Sequence, residues 1–322
     1  MFYFDLNQAG TAAEFSPALR NICDEWLQLN RSRIKASSHV KYWTILEKHI
    51  KPYLGDKPLD GLDAVAIEAF SHLLLSQESL SPKTVRDILA VLRNVLSYAH
   101  KRYCLPESPV EIIYPKLTKT RLRILSKDEQ MHFINYLLRN MDPCKFGTLL
   151  SLLTGLRIGE ICALQWGNIS LQNATLAVEY TMQRLQNPGN NVQKTRVQIT
   201  SPKSDTSCRL IPLTPFATEL CRQMQCPEPK AYVLTGSAVH YMEPRLLQYR
   251  LKQYTQQCNL ENVHFHTLRH TFATRCIEVD FEIKSLSEIL GHSSPRITLE
   301  RYVHPSMDTK RSNMDKLTAI GF

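Results

Sequence analysis

Glycine is scarce in this chain, and the glycine-rich loops that hold nucleotide phosphates are missing. Only 11 of 322 residues are glycine, and neither G-x-x-x-x-G-K followed by Ser or Thr nor G-x-G-x-x-G occurs. The nine cysteines include no C-x-x-C pair, so neither a disulfide framework nor a common zinc spacing is present. No uninterrupted apolar run reaches the roughly 20 residues that cross a bilayer. These absences argue against nucleotide-driven chemistry, a disulfide-stapled secreted protein and a membrane protein.

An export signal is also missing from the N-terminus. The first residues read MFYFDLNQAG, without a basic start followed by an apolar stretch. We therefore expect a cytoplasmic protein whose cysteines are reduced thiols, most of them small core residues. The first helical pattern begins near residue 16, after a short lead.

Positive charge is what the chain has in excess. Lys and Arg total 39 against 30 for Asp and Glu, which gives a formal net charge of +9. Such a surplus favours a polyanionic partner, with nucleic acid as the first candidate. The hydrophobic fraction of 43% and the charged fraction of 21% are globular, and the length suits two domains.

Helical periodicity dominates the first hundred residues. Apolar residues recur there at spacings of three and four, as one buried helix face requires. The sequence predicts a small all-α domain over residues 16–104, after a lead of residues 1–15. Its four predicted helices begin near Ser16, Ser38, Ala64 and Ser81, the last with a cap residue followed by proline in the first turn.

Residues 105–123 have the composition of a linker. Prolines recur in this stretch, and the helical pattern lapses. A basic cluster accompanies them, formed by Lys116, Lys119, Arg121 and Arg123. We therefore place the domain boundary here.

The second domain, residues 124–322, mixes helices with a change of period. Ser126 and Glu129 have the spacing of a helix capping box. Between residues 171 and 213 the period becomes two, which predicts a small antiparallel sheet. Helical patterns precede this stretch and return after it, at 265–277, at 283–290 and after Pro305. The predicted fold class is mainly α with a small antiparallel β-sheet, as a helical domain followed by an α+β domain.

Two short strings before and within the sheet region carry charge. In T-G-L-R-I-G-E, Arg157 follows a helix break, and Glu160 lies three residues on along the same face. The carboxylate can hold the guanidinium, although a solvated ion pair would have the same pattern. Lys203 falls in a turn between two strand patterns, where an ordinary polar turn is the simpler interpretation.

Three later strings add histidine, arginine and tyrosine. His266 and Arg269 lie three apart on one helix face, backed by apolar residues. Gly291 ends a helix and fixes His292 beside its terminus. Tyr302 follows, at a position where a lone tyrosine is usually a half-buried packing residue.

Taken together, these strings resemble the tyrosine recombinase family, the phage-integrase-like enzymes. T-G-L-R-x-x-E, a hairpin with a lysine, H-x-L-R-H, L-G-H and a late tyrosine all occur in the family's order. The resemblance covers both domains, because the family pairs a helical core-binding domain with a catalytic domain, and it points to an Xer-like or mobile-element integrase. It implies an active site of Arg157, Lys203, His266, Arg269, His292 and Tyr302, with Glu160 in support.

The chemistry of these residue types fits the cutting and rejoining of DNA. Two arginine forks can donate to the non-bridging oxygens of a phosphodiester. Tyr302 would attack phosphorus, with His266 as the preferred proton acceptor. Lys203 would protonate the leaving 5′-oxygen, and His292 would hydrogen-bond a phosphate oxygen. Because a 3′-phosphotyrosine retains the bond energy, neither ATP nor a metal cofactor is expected of the site-specific DNA recombinase that the resemblance implies.

The resemblance also implies partners. We expect double-stranded DNA core sites clamped between the domains, and a homo-tetramer on two sites, active in the cytoplasm at the nucleoid. An accessory DNA-bending or directionality protein is a further candidate. The hairpin at 183–198 is a candidate for contact with DNA or another subunit. The apolar tail after Tyr302 could dock on its own domain or on a neighbouring subunit, and the resemblance implies the neighbouring subunit. The side chains expected on DNA are Lys116, Lys119, Arg121, Arg123, Arg86 and Arg93.

Three alternatives remain open from the sequence. A type IB topoisomerase uses similar chemistry on one duplex, and a catalytically silent DNA-binding protein would share the basic charge. His264, His266 and His270 lie close enough along the chain to suggest zinc, but no H-E-x-x-H and no cysteine at ligand spacing accompanies them. His264 and His270 are therefore interpreted as structural or as supports for other side chains.

Overall fold

The computed structural model describes residues 17–103, 110–117, 122–187, 194–201, 207–303, 310–311 and 314–315. The chain divides into two units, one of residues 1–120 with 185–194 and one of residues 121–184 with 195–322. The division falls inside the stretch of linker composition.

The first unit is built from helices. The four predicted helices are confirmed, the second of them as α2, a π-helical segment at Leu46–Ile50 and α3 in direct succession. That run ends at Leu54, before Gly55. The helices are α1 Leu19–Asn30, α2 Ala36–Ile45, α3 Lys51–Leu54, α4 Ala64–Ser76 and α5 Pro82–Arg102, with a 3-10 turn at Leu59–Gly61.

Helix α5 shows how the sequence builds this unit. The Ser81 hydroxyl accepts a hydrogen bond from the Thr84 backbone N–H at 3.2 Å, and Pro82 occupies the first turn, where no helical N–H bond is needed. The apolar stripe of α5 faces α1 and α4 and is fully buried at Ile88, Leu89 and other positions. Across the described residues, no helix is long and apolar enough to cross a membrane.

The second unit combines helices with short strands. The predicted capping box is confirmed, because the side chains of Ser126 and Glu129 each bond the other's backbone N–H. Its helices are α6 Lys127–Leu138, α7 Pro143–Thr154, α8 Ile158–Ala163, α9 Pro215–Met224, α10 Pro244–Gln257, α11 Phe265–Glu278, α12 Ile283–Leu290 and α13 Pro295–Tyr302. A 3-10 turn lies at Trp166–Asn168, and the helix predicted after Pro305 falls mostly outside the described residues.

The strands form two sheets, and all strand residues except the last two of β3 belong to the second unit. Strands β1 Ile169–Ser170, β2 Thr175–Val178 and β5 Arg209–Pro212 form an antiparallel sheet in the order β1-β2-β5, which confirms the predicted sheet. Strands β3 Thr181–Gln186 and β4 Thr195–Thr200 form a second, two-stranded sheet that the sequence analysis did not separate. The sequence of β3, T-M-Q-R-L-Q, is too polar to show a clear apolar alternation.

Helix α7 runs through the core of the second unit and positions the site. Phe146, Leu149 and Leu150 on this helix are at most 1% exposed, and α7 packs along α6 and α11. It ends at Gly155, whose φ of +68° is the left-handed conformation that glycine adopts without strain. The packing of α11 on α7 brings the polar residues of α11 to this helix end.

Candidate active site

Glu160 lies at the centre of a buried cluster with two arginines. Its Oε1 accepts from Arg157 Nη1 at 2.7 Å, and its Oε2 accepts from the Arg157 backbone N–H at 2.9 Å. Arg209 donates to the same carboxylate, from Nη2 to Oε2 at 2.8 Å and from Nη1 to Oε1 at 3.1 Å. Burial raises the pKa of Glu160, but Arg209 and Arg157 outweigh it and hold the pKa at about 2. With a side chain only 3% exposed, Glu160 does not form the solvated pair that the sequence left open.

Arg209 is a component of the site that the sequence analysis missed. Its side chain is 5% exposed, and its Nε donates to the Ile289 carbonyl at 2.6 Å. The pattern R-L-I-P-L contained a signal, because Arg209 and Ile211 are two apart on a strand and so share the core-facing side. A charged residue at an inward position needs a buried partner, which here is Glu160.

Arg269 enters the interior from α11. The residue is 4% exposed, and its Nη1 donates to the Gly155 carbonyl at 2.8 Å. Its Nη2 donates to the Leu290 carbonyl at 2.6 Å. Burial and the nearby Arg157 lower the pKa of Arg269 to about 9, which leaves the guanidinium charged at neutral pH.

The C-terminal turn of α12 brings the arginines together. Gly291 has φ +63°, its N–H bonds the Glu288 carbonyl at 2.9 Å, and the His292 N–H bonds the Ser287 carbonyl at 3.0 Å, the pattern of a glycine helix stop. The glycine stop predicted before His292 is thus confirmed. Three successive carbonyl oxygens of this turn each accept from a different arginine: Ile289 from Arg209, Leu290 from Arg269 and Gly291 from Arg157.

Tyr302 is the last residue of α13 and is buried, with 7% exposure. Its hydroxyl lies 2.7 Å from Nδ1 of His270 on α11. Burial raises the pKa of Tyr302, while Arg269 and Arg301 beside it act in the opposite direction. Burial, aided by Arg301 and His266, lowers the pKa of His270 to about 4. At neutral pH the pair is therefore a protonated phenol and an uncharged imidazole.

His292 packs flat against the nucleophile candidate. Its ring lies 6.3 Å from the Tyr302 ring between centroids, at an interplanar angle of 6°. Its Nδ1 lies 2.7 Å from the hydroxyl of Thr298, a fully buried residue. Burial, together with Arg269 and Arg157, lowers the pKa of His292 to about 3, so this imidazole is also neutral.

His266 occupies a different setting from the other two histidines. It lies on the first turn of α11 and is exposed, with its ring centroid 6.3 Å from that of His270. Desolvation and the charge of Arg269 lower its pKa. The hydrogen bond to Tyr302 is made by His270, a residue for which the sequence analysis expected only a structural or supporting place.

The basic residues predicted to contact DNA fall into three groups. Lys119, Arg121 and the predicted active-site Lys203 lie outside the described residues. Lys116 and Arg93 are exposed.

The third group uses its charge within its own unit. Arg86 donates to the Pro115 carbonyl at 3.2 Å and stacks 5.1 Å from the centre of the Tyr114 ring. Arg123 pairs with Glu129 at 2.6 Å. Both arginines therefore fix the chain on either side of the residues 118–121.

The described site contains cations and a phenol rather than a metal cluster. Among the described residues, no group of three or more His, Cys, Asp or Glu side chains is placed to hold a metal ion. The described residues instead bring three guanidinium groups to the end of α12 and place two neutral imidazoles beside the Tyr302 phenol. Such guanidinium groups can bind the non-bridging oxygens of a phosphate diester, and the phenol can present an oxygen nucleophile to its phosphorus.

Two known family profiles match different parts of this chain. The profile of the phage integrase family matches residues 123–309, and that of the phage integrase N-terminal SAM-like domain matches residues 18–75. A tyrosine recombinase XerC-like protein of Caldanaerobacter subterraneus subsp. tengcongensis is 27% identical over 94% of this chain and 83% of its own.

Solved structures share the fold. The Tn1549 transposon integrase in complex with circular intermediate DNA aligns with a TM-score of 0.75 at 20% identity, over 92% of this chain and 99% of the other. A lambda integrase tetramer bound to a Holliday junction aligns with a TM-score of 0.66 at 18% identity, over 90% and 78%. Helical N-terminal and α+β C-terminal parts, as predicted, are thus confirmed as a known architecture.

Proposed function

The chain belongs to the phage integrase family and is a site-specific recombinase of the tyrosine type, and from this premise we propose that it cuts and rejoins DNA through a 3′-phosphotyrosine intermediate, without ATP or metal. The observation that carries the proposal is the convergence of Arg157, Arg269, His292 and Tyr302 around one point, although they are up to 145 residues apart in sequence (302 − 157).

The two arginines are the proposed phosphate ligands. A guanidinium has five N–H groups, more than the carbonyl bonds of Arg157 and Arg269 use. The bonds to Gly155, Leu290 and Gly291 fix both forks before DNA arrives, so little reorganisation is needed as charge grows on the non-bridging oxygens. His292, held by Thr298, would donate its Nε2–H to the same phosphate.

Tyr302 is the proposed nucleophile, and Lys203 the proposed proton donor to the leaving 5′-oxygen. The raised pKa of Tyr302 means that the phenol must lose its proton during attack rather than beforehand. The covalent bond to the 3′-phosphate then retains the energy of the broken phosphodiester, so a 5′-hydroxyl can reverse the step. Exposed His266 would lie beside the bound phosphate.

We propose double-stranded DNA core sites as substrate, bound by residues 16–104 as a core-binding domain and 124–322 as the catalytic domain, with residues 105–123 as the linker. The related structures of the Tn1549 and lambda integrases hold DNA, the latter as a tetramer on a Holliday junction. A homo-tetramer on two sites, acting in the cytoplasm at the nucleoid, is the corresponding assembly here. Lys116 and Arg93 are its exposed candidates for phosphate contact.

A covalent capture experiment tests the proposal. The full chain is incubated, without ATP and with a metal chelator, with a pool of nicked duplexes of random sequence, and DNA that stays attached in denaturant is sequenced. We expect recovery of one preferred site and no adduct with Tyr302→Phe. Recovery of unrelated sequences together with relaxation of supercoiled plasmid would favour a type IB topoisomerase, and DNA binding without any adduct would favour a silent DNA-binding protein. Either result contradicts the proposal.

A further inference from the structure

His270 is a buried imidazole in contact with the reacting oxygen of the proposed mechanism. Its Nδ1 lies 2.7 Å from the Tyr302 hydroxyl oxygen, the distance of an O–H to nitrogen hydrogen bond. The residue is 8% exposed and sits in the middle of α11, one position after Arg269. Its position is thus set by the same helix that sets the phosphate-binding arginine.

The charges around His270 favour its neutral form. Arg301 faces it from α13, and Arg269 and His266 face it from its own helix. Together with burial they lower the pKa of His270 to about 4, so at neutral pH one ring nitrogen has a free lone pair. A protonated Tyr302 hydroxyl donates to Nδ1 when the imidazole proton is on Nε2, and this is the tautomer that proton acceptance by His270 requires.

Among the described residues, the imidazole hydrogen-bonded to the Tyr302 hydroxyl is that of His270 and not that of His266. His266 is exposed at the start of α11, and its ring centroid is 6.3 Å from the His270 ring, which stands next to the hydroxyl. A proton acceptor must reach the proton directly or through one water molecule. His270 meets the condition directly in the described structure.

We propose that His270, rather than His266, accepts the proton of Tyr302 when the DNA strand is cleaved, an inference that rests on the proposed function. His266 is then free to donate a hydrogen bond to the phosphate from the solvent side of the site.

The Tyr302 O–H bond breaks, and its proton passes to Nδ1 of His270, which becomes an imidazolium. The phenol oxygen forms a bond to phosphorus as the bond from phosphorus to the 5′-oxygen breaks. That oxygen leaves with a proton from Lys203, and resealing reverses every transfer.

The substitution His270→Asn removes the ability of this side chain to accept a proton but keeps its ability to accept a hydrogen bond. In His270→Asn the amide oxygen can still accept a hydrogen bond from Tyr302 but cannot take its proton. We expect single-turnover cleavage of the captured duplex to fall by about 10²- to 10⁴-fold at neutral pH. The rate should then rise with pH as the phenol ionises unaided, whereas the parent chain should be flat over that range. His266→Asn should keep the flat profile, and exposed His132→Asn on α6 serves as the control.

A sulfur leaving group distinguishes the residue that accepts the proton of Tyr302 from the residue that donates a proton to the leaving 5′-oxygen. A 5′-bridging phosphorothiolate in the same duplex needs no proton on leaving, so it should restore cleavage to Lys203→Ala but not to His270→Asn. If His266→Asn gives the steep pH profile and His270→Asn does not, or if the phosphorothiolate rescues His270→Asn, the assignment to His270 is wrong.

A measurement without DNA keeps this inference separate from the proposed function. Nitrogen-15 NMR of histidine-labelled full chain should show His270 with its proton on Nε2 and a hydrogen-bonded Nδ1 that shifts in Tyr302→Phe. A proton on Nδ1, or no response to Tyr302→Phe, overturns the proposal even if adducts form. If the NMR result is as expected but no adduct forms with any duplex, the proposed function fails, and His270 is not a proton acceptor in DNA cleavage.

Discussion

Helices α5 and α11 organise their units in opposite ways. Every buried residue of α5 is apolar, from Val85 to Ala99, and its polar residues face outward. Helix α11 buries Arg269, His270 and the threonines 267 and 271 among its apolar residues. A clean apolar stripe therefore specifies packing and nothing more, whereas each buried polar group of α11 requires a partner. Those partners, at Gly155, Leu290 and Tyr302, define the site.

The largest expected difference between the two helices is the effect of replacing an arginine on the rate of DNA cleavage. Arg269→Ala should lower the rate of covalent adduct formation by about 10²- to 10³-fold, because a preorganised donor to the phosphate is lost. Arg93→Ala, on the exposed face of α5, should leave the single-turnover rate at saturating DNA unchanged. Quench-flow cleavage of the captured duplex measures both, and equal rate losses would remove the distinction between the helices.

The second effect is the contribution of the buried arginine cluster to the free energy of unfolding of the second unit. Glu160→Gln removes the charge that balances buried Arg209 and should destabilise the second unit by about 3–5 kcal/mol. Glu243→Gln breaks an ion pair with Arg184 whose side chains are 31% and 39% exposed, and should change stability by no more than about 1 kcal/mol. Urea unfolding followed by Trp166 fluorescence, with Trp26 and Trp43 replaced by Phe, reports on this unit. Similar losses would mean that burial of the carboxylate is unimportant.

The third effect is a loss of stability of the first unit when the apolar stripe of α5 is truncated. Leu92 is fully buried, so Leu92→Ala should destabilise the first unit by about 2–5 kcal/mol while leaving the second unit unaffected. Leu29→Ala is the control, since Leu29 on α1 is 50% exposed. In a Trp166→Phe background, fluorescence of Trp26 and Trp43 follows the first unit. A shift in the unfolding of the second unit would show that the two cores are not separate.

The smallest effect is the pH dependence of the second unit. The pKa of His292 is lowered from about 6.5 in the unfolded chain to about 3 in the folded one, so the unfolded chain binds its proton first as pH falls. The contribution of His292 to the free energy of unfolding is therefore complete above pH 6.5. It declines below that pH by at most about 1.4 kcal/mol per pH unit.

Replacing His292 tests whether its lowered pKa makes the second unit less stable as pH falls. His292→Asn should lose less stability than the parent chain between pH 7 and pH 5, measured by urea midpoints, and His132→Asn should lose as much as the parent. Glu160 does not contribute in this window, because its pKa of about 2 leaves it charged. A steeper decline in His292→Asn would contradict the lowered pKa.

The sequence predicted the elements with a clear pattern and missed those that depend on long-range partners. Helix α12 was predicted with both ends, because its apolar spacing and Gly291 are local signals. The nucleophile candidate, the two arginines and His292 came from the family's strings, and the structure brings them together.

Residues without a local signal were beyond the sequence. The hydrogen bond of His270 to Tyr302 spans 32 positions, and the bond of Arg209 to Glu160 spans 49, so no helical or strand period could reveal either partner. The strand period could show only that Arg209 faces the core. Strand β3 was missed because its polar sequence resembles a loop.

The end of α12 has one last consequence. Since Ile289, Leu290 and Gly291 each hold a different arginine, these three charges cannot be tuned one at a time by moving this turn. A displacement of α12 would break one hydrogen bond of each arginine at the same time, while Glu160 would still hold Arg157 and Arg209 and the Gly155 carbonyl would still hold Arg269. The turn therefore couples the three arginines, because any movement of it changes the hydrogen bonding of all of them at once.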